Sequence, residues 1–87
     1  MNIGSVVYSR AGRDADRAYM VMALCADKEG YVLVVDGDVR TLANPKRKNA
    51  RHLRYKGEDL PAIADKLQNN KQVYDSEIKS ALRQYAK

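Results

Sequence analysis

Seven lysine or arginine side chains and no carboxylate lie between Arg40 and Lys56, a segment that we call the basic run. The other seventy residues hold nine basic and eleven acidic side chains, so the net charge of +5 is concentrated in this run. A local field of one sign on a small protein favours a polyanionic partner, most commonly nucleic acid. A solvated basic surface with no dedicated ligand gives the same pattern, and the run alone does not separate the two.

The residues of the basic run differ in what they could contribute to such a partner. Lys46–Lys48 follow Asn44-Pro45, which should hold them extended and exposed, able to track a row of phosphates. Asn49 could read a base edge, and a capping or turn role fits it equally well. Tyr55 is the best candidate for stacking on a base. The run residues expected to bind are Arg40, Lys46, Arg47, Lys48, Asn49, Arg51, His52, Arg54, Tyr55 and Lys56.

No other group of side chains has the spacing of a reactive centre. His52 is the only histidine and lacks neighbours at ligand spacing, so we expect neither a metal site nor a general base. Asp36 and Asp38 flank Gly37, a pattern typical of a turn in which aspartate bonds to the backbone. Cys25 is the only cysteine and lies in an apolar stretch, where we expect a core residue. We therefore expect no catalytic residue, no cofactor and no enzyme.

The elements that position the basic run are predicted to be short strands. Runs rich in β-branched and aromatic residues predict strands at 3–9, 17–26, 31–35, 39–42 and, shorter, 50–54. Asp36-Gly37 between two apolar runs predicts a tight hairpin that joins the third and fourth strands. Strands of this number and length suit a small closed barrel, because closure removes exposed sheet edges.

The composition changes after Gly57-Glu58, which we expect to be a link. Two helices are predicted beyond it, the first capped by Asp59 and the second by the segment 75–77. Helices this short are marginal alone, so they should pack on each other or on the barrel. Their apolar stripes are Leu60, Ile63, Ala64 and Leu67, then Ile78, Ala81, Leu82 and Tyr85. We divide the chain into a barrel (1–56) and a helical appendage packed on it (57–87), mainly β with α.

Three segments resemble a known family. Residues 4–14 (GSVVYSRAGRD), followed by an apolar strand, resemble the KOW motif of ribosomal and transcription-associated proteins. Residues 32–42 (VLVVDGDVRTL) and 45–53 (PKRKNARHL) resemble bacterial KOW-domain RNA-binding proteins, a group similar to certain large-subunit ribosomal proteins of archaea and eukaryotes. The resemblance covers about residues 3–53. It implies an SH3-like β-barrel that binds RNA, usually on the ribosome.

The resemblance also assigns a role to the first inter-strand loop. Gly12 fits a turn that needs a positive φ or a bulge. The resemblance implies in addition that Gly12 lets RNA approach the backbone and that the neighbouring arginines contact it. Those arginines are Arg10, Arg13 and Arg17. The chain has Ala15 and Asp16 where the family typically has a basic residue and a glycine, which weakens the attraction of this loop for phosphate.

The function expected from these observations is binding of folded RNA, with ribosomal RNA and the large ribosomal subunit as partners and ribosomal proteins as further candidates. The longest apolar run has nine residues, about half of a membrane span. With no signal peptide in the sequence, we expect a cytoplasmic protein that does not engage a membrane. The alternative is an SH3-like protein-interaction module that docks a translation or transcription factor, since one fold hosts many functions.

Overall fold

Five antiparallel strands form a single sheet in the computed structural model, which describes residues 1–10 and 17–85. The sheet order is β4-β3-β2-β1-β5, and within the described residues β4 and β5 are its edges. The sheet is therefore not closed, although the sequence predicted a closed barrel. The predicted class, mainly β with two short helices, is confirmed. The strands are β1 (Ser5–Ser9), β2 (Ala18–Leu24), β3 (Tyr31–Val35), β4 (Lys46–Asn49) and β5 (Leu53–Asp59).

The curl of the sheet brings its two edges near each other. A 3₁₀ turn, Ala50–His52, joins β4 to β5. The Arg10 amide, directly after β1, donates to the His52 carbonyl at 2.9 Å. Across the sheet, the Lys48 ammonium of β4 donates to the Ser9 hydroxyl of β1 at 3.1 Å. The Lys48 contact links edge strand β4 to β1, the neighbour of the other edge strand β5, which gives the sheet a barrel-like shape.

The predicted strand at 39–42 is wrong. The Asp36 carboxylate accepts the amide protons of Asp38 at 2.9 Å and Arg40 at 2.8 Å, so the chain folds back on itself at once. Aspartate favours such local bonds over a strand ladder. The loop is then fixed to the second helix, because the Leu42 amide donates to the Asp75 carboxylate at 2.7 Å. The fourth strand therefore begins at Lys46, inside the basic run.

β5 begins later and ends later than expected, because its pairing with β1 sets its length. The predicted short strand at 50–54 starts instead at Leu53, after the 3₁₀ turn, and continues to Asp59. Gly57 and Glu58, predicted to be a link, lie inside it. Its register against β1 shifts between Ser5 and Val7, and Gly57 takes a positive φ of 87° near that irregularity. The strand thus runs past residue 56, where we had divided the chain.

The two predicted helices are present. They are α1 (Pro61–Gln68) and α2 (Asp75–Leu82), and a 3₁₀ turn, Arg83–Tyr85, follows α2. The predicted cap of α1 is wrong, whereas Asp75 and Glu77 lie in the first turn of α2 as predicted. Leu60 occupies the N-cap of α1, because the Asp59 carboxylate accepts from the hydroxyls of Ser5 and Tyr55 instead. At α2 the N-cap is Tyr74, whose amide donates to the Glu77 carboxylate at 3.1 Å.

Each face of the sheet carries a cluster of buried side chains. Alternation along each strand sends one set of side chains towards the helices and the next set to the opposite face. The helix-side cluster joins Val6, Tyr8 and Met20 of the sheet to Ile63 and Ile78 of the helices. We call the other set the inner cluster; it contains Val7, Tyr19, Val21, Val32, Val34 and Leu53. The helices therefore complete a core that they share with the sheet.

Two glycines let the helical segment approach the sheet closely. Gly4 has a φ of +90°, and a Cβ on it would lie 2.5 Å from the Ala64 Cβ of α1. Gly37 has a φ of +79°, as the Asp-Gly turn predicts, and a Cβ there would collide with the Asp75 carbonyl oxygen of α2. Any side chain at either position would push a helix away from the sheet.

Candidate nucleic-acid interface

The first part of the basic run, Lys46–Lys48, forms most of edge strand β4. It is extended as predicted, but only Arg47 is exposed; the predicted exposure of Lys46 and Lys48 is wrong. Lys46 and Lys48 pair with Val34 and Val32, whose side chains belong to the inner cluster. Paired residues of an antiparallel ladder share a face, so both lysines lie against that cluster. Strand alternation thus divides the three charges between two faces.

Lys48 has a structural position. Its ammonium bonds to the Ser9 hydroxyl and lies 5.9 Å from the centroid of the Tyr19 ring, which is 1% exposed. The hydrocarbon stem of a lysine can cover apolar surface while its charge reaches polar partners. Lys48 therefore helps to hold the curl of the sheet between β4 and β1.

Arg47 and Asn49 lie on the other face of β4. The Arg47 guanidinium is 3.0 Å from the Asp27 carboxylate, in an exposed ion pair. The Asn49 side chain accepts the Arg51 amide proton at 3.0 Å and so caps the 3₁₀ turn. Of the two roles open to Asn49 in the sequence, the structure shows the cap. β4 therefore presents little free cationic surface on this face.

The second part of the run presents its cations to solvent. Arg51, His52, Arg54 and Lys56 are all exposed, and so is Arg10, whose backbone bonds to His52. The Arg10 guanidinium also reaches the Arg51 carbonyl oxygen at 3.5 Å. We call these five residues the β5 basic cluster: Arg10, Arg51, His52, Arg54 and Lys56. The β1–β5 ladder brings Arg10 to the cluster, although His52 lies forty-two positions further along the chain.

Tyr8 supports the cluster from below. Arg54 pairs with Tyr8 across the β1–β5 ladder, and the Lys56 ammonium lies 4.8 Å from the centroid of the Tyr8 ring. The Tyr8 hydroxyl donates to the Glu58 carboxylate at 3.3 Å. Burial, followed by the neighbouring Glu58 carboxylate, raises the pKa of Tyr8 above its usual value. The cation–π contact holds Lys56 over the ring and leaves its charge at the surface.

Arg17 and Arg40 meet at a different point, around Asp36. The Arg17 guanidinium lies 3.6 Å from the Asp36 carboxylate, which is 8% exposed, and the Arg40 amide bonds to the same carboxylate. This aspartate also confirms the prediction that Asp36 serves a turn through its backbone bonds. Both arginines are thus positioned by the loop that follows β3. Gly12 and Arg13, the other predicted contacts in the first inter-strand loop, lie outside the described residues.

Tyr55 is on the opposite face of β5 from Arg54 and Lys56. It pairs with Val7 of the inner cluster, is 39% exposed, and donates its hydroxyl to both Asp59 carboxylate oxygens at 3.0 and 3.1 Å. The hydrogen bond to Asp59 raises the pKa of Tyr55. Its ring therefore lies beside a carboxylate and apart from the cluster, a poor place to stack a base near phosphates.

Sequence reasoning did not identify the contacts by which the cations of β4 differ from the exposed cations of the turn and β5. Asp27, which pairs with Arg47, lies in the turn between β2 and β3, twenty residues away. A period-two reading of Lys46–Asn49 would have shown that alternate cations face inwards. Tyr8 and Tyr19, predicted to lie in the core or wall, are 6% and 1% exposed. Cys25, predicted to fill the core, is half-buried just after β2.

The described residues provide neither a group of side chains arranged for a metal ion nor a helix that could cross a membrane. No set of three or more His, Cys, Asp or Glu side chains in that part of the chain is arranged to hold a metal ion. Neither described helix has the length and apolar composition that crossing a membrane requires. Comparison of the whole chain with protein-family models gives no match, and comparison with curated proteins gives none either.

Proposed function

We propose that this chain is an RNA-binding protein of the KOW type, with an SH3-like barrel, that associates with ribosomal RNA in the cytoplasm and has no catalytic role. The observation that carries the proposal is the β5 basic cluster, in which two distant parts of the sequence supply exposed cations to one surface. Guanidinium and ammonium groups grouped in this way neutralise successive phosphates.

The topology supports the KOW assignment. A five-stranded antiparallel sheet of order β4-β3-β2-β1-β5, with a short 3₁₀ turn between its two edge strands, is compatible with a small SH3-like barrel. The contact of Lys48 with Ser9 joins edge strand β4 to β1 across the sheet, as curling towards a barrel requires. Together with the sequence resemblance over residues 3–53, this topology favours a KOW protein over an unrelated sheet.

The proposal is tested by crosslinking the protein to RNA in cells and mapping the crosslinked sites. Ribosomal RNA of the large subunit should dominate, with recurrent sites rather than an even spread. In vitro, affinity for RNA should fall with salt at a slope of about 0.7 to 0.9 per phosphate contact on a log–log scale. Crosslinks spread over messenger RNA in proportion to abundance, or affinity that does not change with salt, would contradict the proposal.

A second candidate, a module that docks a translation or transcription factor, is favoured by one observation. An open apolar groove of about 200 Å³ lies on the helices, lined by Leu60, Pro61, Ala62, Ile63 and Ala81. Removal of the helices would not test this candidate, because they share a core with the sheet. Ala62→Asp, at an exposed position, should leave RNA affinity intact. If it also abolishes co-sedimentation with ribosomes, the docking function is the better account.

A further inference from the structure

We infer that the RNA bound by the β5 basic cluster is a duplex, contacted through its phosphate backbone and not through stacked, unpaired bases. This inference rests on the proposed function and names its substrate class. A protein needs a different kind of surface for each class of RNA. Unpaired bases are held by a series of exposed aromatic rings, whereas an RNA duplex is held through its phosphates, sugars and shape.

The tyrosines cannot supply that series at the cluster. They are the only Phe, Tyr or Trp residues of the chain, and all six lie in the described part. Tyr8 is buried beneath Lys56, and Tyr19 is buried in the inner cluster. Tyr31 is half-buried with the Lys28 ammonium 4.4 Å from its centroid. Each of these rings already has a face covered by protein.

The remaining tyrosines are occupied by other contacts within the protein. Tyr55 is bonded to Asp59 on the opposite face of β5, so a stacked nucleotide would meet a carboxylate. Tyr74 caps α2, and Tyr85 packs against the helix-side cluster. His52 is the one aromatic ring that the cluster exposes, and a single imidazole cannot stack successive bases. The cluster therefore offers charge and hydrogen-bond donors without a stacking platform.

The cations of the cluster suit a duplex. Arg10 and Arg51 lie beside the 3₁₀ turn that precedes β5. Arg54 and Lys56 lie along β5, so the charges of the cluster form a row along this edge strand. An RNA duplex presents phosphates at a higher density than a single strand, so the same cations displace more counterions from it. Arginine forks bind phosphate oxygens in two-point contacts without reading the bases.

The test is the affinity of the full chain for two labelled probes of equal length, a blunt RNA duplex and an oligouridine strand, measured by fluorescence anisotropy. We expect the duplex to bind about tenfold more tightly. Arg51→Gln with Arg54→Gln should lower duplex affinity by about thirtyfold at physiological salt and reduce the salt slope by about two. Lys71→Gln with Arg83→Gln removes the same charge from the helical segment and should change affinity by less than about threefold. Circular dichroism checks that both variants fold.

The affinities of the two probes and the two variants distinguish duplex binding, single-strand binding and binding by net charge. Tighter duplex binding that only the Arg51/Arg54 variant loses supports the inference. Equal or tighter binding of oligouridine overturns the duplex inference and leaves RNA binding intact. Equal losses in the two variants overturn the assignment of the cluster, because affinity would then follow net charge alone. Binding of neither probe overturns the proposed function itself.

Discussion

The two parts of the basic run differ in what their charges contact, although their compositions are alike. In β4, Lys48 reaches the Ser9 hydroxyl and Arg47 pairs with Asp27. In the turn and β5, Arg51 and Arg54 are exposed. The density of positive charge is high in both parts, so density alone does not identify a binding surface. Strand alternation and the neighbours supplied by β1, β2 and β3 decide which cations can meet a ligand.

The strongest test of this difference removes three charges from each part in turn. Arg51→Gln, Arg54→Gln and Lys56→Gln together should weaken RNA binding on the order of a hundredfold at physiological salt, since three phosphate contacts are lost. The matched triple Lys46→Gln, Arg47→Gln and Lys48→Gln should weaken it by less than about tenfold. Anisotropy titrations at several salt concentrations measure both. Equal losses would show that the two parts bind alike.

For folding stability we expect the reverse order, with a larger effect from a substitution in β4 than from one in β5. Lys48→Met keeps the apolar stem and removes the bond to Ser9, which should lower the free energy of unfolding by about 1 kcal/mol. Arg54→Met, at an exposed position of β5, should change it by less than about 0.5 kcal/mol. Urea denaturation followed by circular dichroism gives both values. A larger loss for the Arg54 variant would reverse the roles that we assign.

A smaller effect should follow from releasing Arg47. Asp27→Asn removes the carboxylate 3.0 Å from its guanidinium and should raise RNA affinity by about twofold, as expected for an exposed ion pair. Asp65→Asn, an exposed change of equal charge on α1, is the control. If the two variants raise affinity equally, the ion pair does not restrain Arg47.

The smallest effect concerns Tyr55, on the face of β5 away from the cluster. Its pKa is raised by the bond to Asp59, so the folded state holds the phenolic proton more tightly than the unfolded state does. The stability gained is complete below the ordinary tyrosine pKa, and it is lost as pH rises through the raised value. Tyr55→Phe should reduce this alkaline dependence, with the raised pKa of Tyr8 supplying what is left, and should leave RNA affinity unchanged.

Urea denaturation at several alkaline pH values measures that dependence. Tyr74→Phe is the control, because the Tyr74 side chain is 62% exposed and lies at the start of α2. A marked loss of RNA affinity in the Tyr55 variant would place the contact surface on the wrong face of β5.

Local patterns were enough to predict much of the fold. The third strand was predicted with its observed bounds, and Ile78 and Leu82 of the second apolar stripe are buried against the sheet. These features depend on neighbours within a few residues, where propensity and periodicity are informative. The strand predicted at 39–42 failed because the Asp36 carboxylate and α2 hold those residues in a loop.

The candidate site was predictable in composition and not in exposure. The sequence shows that Lys46–Lys48 and Arg51–Lys56 are basic, but Lys48 is half-buried only because the sheet curls Ser9 and Tyr19 towards it. Arg10 likewise reaches the cluster through a backbone bond to a residue forty-two positions away. Contacts of this range depend on tertiary packing, which a local pattern does not encode.

The most direct test of the central claim is an amide NMR titration of the protein with an RNA duplex. The largest chemical-shift changes should fall on Arg10 and on residues 51–56, with small changes in residues 46–48, Asp27 and the two helices. Changes centred on β4 or on the α1–α2 groove, with residues 51–56 unaffected, would contradict it.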